Sequence, residues 1–280
     1  MAQRQIGIVK QLYRYPVKSM LGEQVDELVI AADGVVGDRA WALREANGRI
    51  ATAKKSPKLF EFRAAYAAVP TANALPSVTI TLPDGSVISA EHADASAAVS
   101  RVLGRSVKLE RSRADEHSRG EIDPQTIFGD VGVERVMPQF TAATMPDSFG
   151  LRYGSFHDSA AVHLLATSTL AHLRRLIGAD AQVDARRFRP NIVVDDGAEG
   201  DRFAEDEWLD GELGVGEGAR VTNLQPALRC VMTTHQQGAL PRDLRILRAA
   251  AQHHNARLGV FAAVGAPGRV RVGDPVWLIG

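Results

Sequence analysis

The chain is written in short β-branched and aromatic runs separated by tight-turn pairs, and this pattern constrains its fold more than any other feature. Residues 6–14, IGIVKQLYR, alternate loosely and predict a strand, and 25–30, VDELVI, predict a second. Asp33-Gly34 marks the turn that follows. Asn47-Gly48 stands between two strand-like runs in AWALREANGRIAT and predicts a hairpin, because both residues tolerate the positive φ of a two-residue loop. SVTITL and VIS, joined by Pro83-Asp84-Gly85-Ser86, predict another. Farther on, IVVDD, the two runs around the Gly-rich turn of ELGVGEGARVTNL, VFAAV and the segment after Pro267-Gly268 also read as strands.

Helical windows are few. Residues 95–103 place Val99, Val102 and Leu103 on one face, with Asp94 to cap the start and Gly104 to stop the helix. Residues 168–177 do the same with Leu170, Leu173, Leu176 and Gly178, and 243–253 with Leu244, Leu247 and Ala251. Neither a βαβ rhythm nor an internal repeat is expected. The fold class is therefore α+β and β-rich, with a closed barrel as the favoured architecture. Residues 110–124 mix charges with little apolar content, and the chain up to about 150 has no period. The expected organisation is an N-terminal β-barrel-like region over 1–110, a linker or irregular insertion over 111–150, and a mostly β domain over 151–280.

Thirty-three basic residues balance 33 acidic ones, which argues against a globally basic nucleic-acid binder. Cys230 is the single cysteine. It rules out an internal disulfide, an all-cysteine iron–sulfur cluster and a four-cysteine zinc site within this sequence. The first twenty residues show no secretory pattern, and the charge-free run between Arg63 and Asp84 is broken by Pro70, Asn73 and Pro76. A cytoplasmic protein with no membrane or nucleic-acid partner is expected. His157 and His163 lie six apart and His253-His254 are adjacent, so neither pair makes a zinc pattern. No phosphate loop or GxSxG elbow occurs, and GVGEGA at 214–219 is followed by no helical window, so it reads as a turn.

Four segments carry candidate chemistry. Cys230, in LRCVMTT beside Arg229, is either a soft-metal ligand or nucleophile, or a small buried hydrophobe. On local sequence alone the second reading is the plainer one. RRFRPN offers Arg186, Arg187, Arg189 and Asn191, and an arginine fork suits phosphate; a solvated basic edge balanced by Asp184 and Asp195 is the alternative. YPVKS, with Lys18 and Ser19, and Gly37-Asp38-Arg39 each place a cation on a tight segment. Read alone, Arg39 beside Asp38 is a surface pair worth little.

In this order the motifs resemble one family. YPVKS, GDRAW and IATAKKSPKL look like the β-barrel region that precedes MOSC domains, and DSAAVHLLATSTL, RRFRPNIVV, FAEDEW, LRCVMTT and VRVGDPVWLIG look like the MOSC domain itself. The motif order is similar to that of the mitochondrial amidoxime-reducing component and its bacterial relatives. The resemblance implies a pterin molybdenum cofactor whose metal is bound by a cysteine, here Cys230, as metal ligand and catalytic centre. It implies cofactor contacts from Lys18, Ser19, Arg39, Arg189 and Asn191, with Asp158 and Ser159 near the pterin and Arg187 added by proximity. The implied activity is reduction of N-hydroxylated or related N–O or S–O small molecules, with electrons from a separate protein because the sequence holds no cysteines for a cluster. The alternative is a carrier of the cofactor or of sulfur, without redox turnover.

Overall fold

The computed structural model describes residues 3–113, 121–122, 127–129, 132, 143–144, 155–157, 159–199 and 202–280. In chain order its strands begin with β1 (Gln3–Arg14), β2 (Glu23–Val25), β3 (Glu27–Ala31), β4 (Gly34–Val35) and β5 (Trp41–Glu45). Then come β6 (Arg63–Tyr66), β7 (Val78–Thr81), β8 (Val87–Ser89), helix α1 (Ala95–Leu103), β9 (Val107–Arg111), β10 (Glu121–Ile122) and β11 (Ala143–Thr144). The C-terminal half supplies β12 (Val162–Ala166), α2 (Thr167–Ile177), β13 (Ile192–Asp195), β14 (Glu212–Val215) and β15 (Ala219–Leu228). It ends with α3 (Arg245–His254), β16 (Arg257–Ala266), β17 (Gly268–Arg271) and β18 (Pro275–Ile279).

Seven strands close a barrel in the order β13-β12-β16-β15-β14-β18-β1, sealed by antiparallel pairing of β1 with β13. Closure leaves no free edge among these seven. β12 is buried at every position, for a reason its alternation makes plain. Val162, Leu164 and Ala166 face the barrel core with Leu12, Ile192 and Val260. Leu165 points the other way, onto Leu173 of α2 and Ile246 and Ala250 of α3. A second core gathers Val17, Met20, Trp41, Phe60, Phe62, Ile80 and Val99 in the N-terminal region, around the β5–β9 pair and the β6-β7-β8 sheet.

The β-rich α+β expectation holds, and the local expectations fare as follows in the chain. Asn47-Gly48 does form a turn, but only Arg44 and Ile50 bridge across it. The short hairpin is held by the Glu45 N–H to the Arg49 carbonyl and the Ala51 N–H to the Leu43 carbonyl, both at 2.8 Å, while the longer ladder of β5 runs on its other side, with β9. Asp94 makes no side-chain cap to α1, whereas Gly104 ends it in the left-handed conformation as expected. Among the described residues one βαβ unit exists: β12 pairs parallel with β13 across α2. The sequence hides it because the return from α2 runs through an irregular stretch and the short 3-10 helix Ala185–Phe188. The turn read in GVGEGA is present between β14 and β15. At Gly216, φ is +58° and a Cβ would meet Asp274 Oδ2 at 2.4 Å, so only glycine fits.

β1 therefore belongs to the barrel otherwise built from residues 162–279, and it delivers YPVKS to the rim where the N-terminal core begins.

Candidate functional site

Three loops meet beyond the end of β1. The chain leaves β1 through Tyr15 and Pro16, and Lys18 is pinned by its N–H to the Trp41 carbonyl at 2.8 Å. Its ammonium donates to the Phe156 carbonyl at 2.6 Å, and only 5% of the residue is exposed. The Arg39 N–H donates to the Tyr15 carbonyl at 2.7 Å, and the Phe156 N–H donates to the Arg39 carbonyl at 3.0 Å. The backbone of Phe156 thus bridges Lys18 and Arg39. Arg189 follows the 3-10 helix Ala185–Phe188 and donates from Nη1 to the Met20 carbonyl at 2.6 Å. The Tyr15 ring holds two guanidinium groups, Arg189 at 4.1 Å and Arg39 at 5.1 Å from its centre. Both lie within cation–π range.

The backbones here are unusual. Among the described residues, the non-glycine positions with positive φ are Ser19, Arg39, Arg189, Asn223, Asn255 and Ala256. Half of them are the predicted anchor residues Ser19 (φ 66°), Arg39 (φ 51°) and Arg189 (φ 57°). A left-handed residue with a Cβ costs about 1–2 kcal/mol, and such strain clusters where a site requires it.

Among the described residues, Asp38 is the carboxylate of the cluster. Burial pushes its pKa up, but the Arg39 guanidinium, His157 and hydrogen bonds from the Tyr15 N–H and the Asn191 amide outweigh burial and hold it below the usual range. The Tyr15 N–H to Asp38 distance is 2.7 Å. Asp38 is 3% exposed, so Asp38–Arg39 is a buried ion pair, not the surface pair that its spacing suggests. Behind it a cavity of about 490 Å³ opens, lined by Asp38, Ser155, His157, Val36, Ala40 and Arg111 among others.

Cys230 precedes the short 3-10 helix Val231–Thr234 in an extended conformation, and its carbonyl accepts both the Thr233 N–H at 3.1 Å and the Thr233 hydroxyl at 3.0 Å. The side chain is partly exposed between Met232, on the N-terminal core, and Phe128 with Leu247. The adjacent Arg229 points inward: Nε donates to the Leu258 carbonyl at 2.7 Å, Nη1 to the Phe188 carbonyl at 3.1 Å, and Nη2 to His163 Nε2. Burial lowers the Arg229 pKa to about 9, against an upward pull from Cys230 and Glu205. Burial and Arg229 together push His163 well below its ordinary value, so it stays neutral and accepts.

The structure brings Lys18, Arg39 and Arg189 together with Ser19 beside Lys18. Asn191 supports them from the barrel wall: its Oδ1 accepts the His163 N–H at 3.1 Å and its Nδ2 donates to the Tyr13 carbonyl at 3.4 Å. Ser159 is partly buried, and Asp158 lies outside the described residues. Arg187, named by proximity, makes different contacts. Two positions before Arg189, its guanidinium donates to the carbonyls of Gln182, Thr233, His235 and Pro241. Tyr15 and Asp38 are site residues that the sequence did not single out. Their signal was position, since each sits inside a quoted motif, YPVKS and GDR. Among the described residues no three His, Cys, Asp or Glu side chains gather as a metal cluster.

The MOSC N-terminal beta barrel domain family matches residues 6–119, and the MOSC domain family matches residues 152–277. Mitochondrial amidoxime-reducing component 1 of Homo sapiens is 25% identical, covering 99% of this chain and 84% of that protein. Mitochondrial amidoxime reducing component 2 of Bos taurus is 26% identical over 98% of this chain and 84% of its own length. The component 1 protein of Xenopus laevis is 27% identical over 99% and 83%.

Proposed function

The chain is a MOSC domain protein with a MOSC N-terminal barrel, and from that premise we propose that it reduces N-hydroxylated or related N–O or S–O small molecules at a pterin molybdenum cofactor. At the level of the family this is a molybdenum-cofactor-binding oxidoreductase. The observation that carries the reading is the convergence of Lys18, Arg39 and Arg189 on one buried spot. Two of those residues, together with Ser19, are held in left-handed backbone.

The residues fit the group. The buried cations Lys18 and Arg189, with the partly buried Arg39 beside them, suit a phosphate-bearing anion, and Ser19 adds a neutral donor. A partly exposed thiol suits a soft metal, which takes sulfur as thiolate. Lys18, Ser19, Arg39 and Arg189 would hold the anionic end, Asn191 would keep their loops in register, and Cys230 Sγ would be the protein ligand to the metal. When bound, the cofactor supplies the two-electron redox chemistry of molybdenum and its dithiolene sulfurs. Asp38 keeps Arg39 oriented on Tyr15, and Arg229 ties the Cys230 loop to β16. Electrons from a separate donor protein are part of this proposal. A cytoplasmic setting belongs to the same proposal.

The test is molybdenum and pterin content of protein from a cofactor-competent host, for wild type, Cys230→Ala and Arg189→Ala. Near-stoichiometric molybdenum in wild type that falls in both variants, followed by donor-coupled reduction of an amidoxime, supports the reading. Cofactor-free wild type overturns it and moves the weight to a sulfur carrier, whose mark is a persulfide on Cys230.

A further inference from the structure

Two buried polar side chains join the turn that carries Arg189 to the turn that carries Cys230. Arg187 is 1% exposed, and its guanidinium spans both turns. Nη1 donates to the His235 carbonyl at 3.2 Å and the Thr233 carbonyl at 3.4 Å, and Nη2 donates to the Pro241 carbonyl at 2.7 Å. Nε holds its own side of the junction through the Gln182 carbonyl at 2.8 Å.

Gln237 closes the junction from the opposite direction. Its Nε2 donates to the Met232 carbonyl at 3.0 Å and to the Arg187 carbonyl at 3.4 Å. Two carbonyl acceptors on one end of the amide settle which atom is nitrogen. The other end, Oε1, is buried with no hydrogen-bond partner among the described residues. An orphaned acceptor is a penalty for the fold, and the bridging nitrogen is the local gain that offsets it. Gln237 also sits in a tight loop, where it and Leu240 exchange backbone hydrogen bonds at 3.0 Å. The amide is therefore presented from a fixed base.

Arg187 lies two residues before Arg189, and Met232 and Thr233 lie two and three residues after Cys230. We propose that Arg187 and Gln237 are positioning residues: together they set the separation between the Arg189 guanidinium and Cys230 Sγ, so that one ligand is held by both. This role rests on the cofactor reading given above for what the ligand is, but not for the clamp itself. Removing the clamp frees the Cys230 turn to drift relative to Arg189 without touching either functional group.

The variants are Arg187→Met and Gln237→Glu. The second is near-isosteric: as a carboxylate it loses the bridging donor and sets a negative charge against the Met232 and Arg187 carbonyls. Three readouts are taken: the thermal melt, the rate of iodoacetamide modification of Cys230 in cofactor-free protein, and the electron paramagnetic resonance signal of molybdenum-loaded protein. Cys230 is the single cysteine, so the modification rate reports one site. The expected result is a cooperative melt, a modification rate changed by about fivefold, the factor one lost hydrogen bond is worth, and a broadened or shifted resonance signal. Variants that melt lower yet keep wild-type thiol rate and resonance signal overturn the proposal, because the two residues then merely stabilise the fold. If Arg187→Met does not fold, Gln237→Glu decides. If wild-type protein takes up no molybdenum, the cofactor reading fails, and the iodoacetamide rates alone decide the clamp.

Discussion

The Arg189 guanidinium rests 4.1 Å from the centre of the Tyr15 ring, on a backbone twisted to φ 57° to bring it there. Placement and strain are thus separable by substitution. Arg189→Ala removes the cation and keeps the strained backbone. Arg189→Gly removes both. Urea denaturation should show Arg189→Gly more stable than Arg189→Ala by about 1 kcal/mol, the relief of a left-handed Cβ. Cofactor retention should fall about tenfold or more in both, since a charge-assisted contact is worth about 1.5–3 kcal/mol. Retention restored by glycine would mean that the backbone, not the guanidinium, holds the ligand.

Cys230→Ser keeps size and polarity but substitutes a hard oxygen for a soft sulfur. Because the side chain is only partly buried at the head of a short 3-10 helix, stability should change by less than about 1 kcal/mol. Molybdenum content by elemental analysis should collapse, and with it amidoxime reduction. A serine variant that retains wild-type metal would remove Cys230 from the ligand set.

The strands were legible because alternation and turn pairs are local. The Pro83-Asp84-Gly85-Ser86 hairpin pairs β7 with β8 as expected. What was not legible is non-local: β1 closing on β13, and β5 extending its pairing to β9 beyond its short hairpin across Asn47-Gly48. At the site, single motifs read as solvated cations, and only their order, through a family resemblance, raised Lys18, Arg39 and Arg189. The RRFR run shows why. Arg186 goes to Asp184 at the surface, Arg187 goes inward onto carbonyls, and Arg189 is turned to Tyr15 by a left-handed backbone. No sequence period announces a positive φ at a residue other than glycine.

Asp38→Asn tests the buried carboxylate. Leaving Arg39 without its anion should cost about 3 kcal/mol, at the low end for a broken buried pair because the Arg39 side chain is still 14% exposed. The sign with pH follows from the lowered folded-state pKa. The stabilisation is present above the ordinary carboxylate range and is lost as pH falls through the folded value. Urea midpoints of wild type and Asp38→Asn should therefore differ most at neutral pH and converge in acid. A difference that stays constant down to acid would mean that Asp38 contributes no charge to the cluster.

Glu205 carries the opposite sign. Its Oε1 accepts the Ala166 N–H at 2.6 Å and its Oε2 takes the Thr169 hydroxyl, at the start of α2. Burial pushes its pKa up and Asp196 adds to that, while the bonds from Ala166 and Thr169 offset only part. A raised folded value gives stability that is complete below the ordinary glutamate range and is lost as pH rises through the folded pKa. Glu205→Gln mimics the protonated form at every pH. Measured against wild type by urea midpoints, it should gain ground as pH rises from acid toward neutral, at a limiting slope of about 1.4 kcal/mol per pH unit. A flat difference across that range would show that the Glu205 carboxyl is ionised in the folded barrel, held by the Ala166 and Thr169 donors strongly enough to cancel its burial.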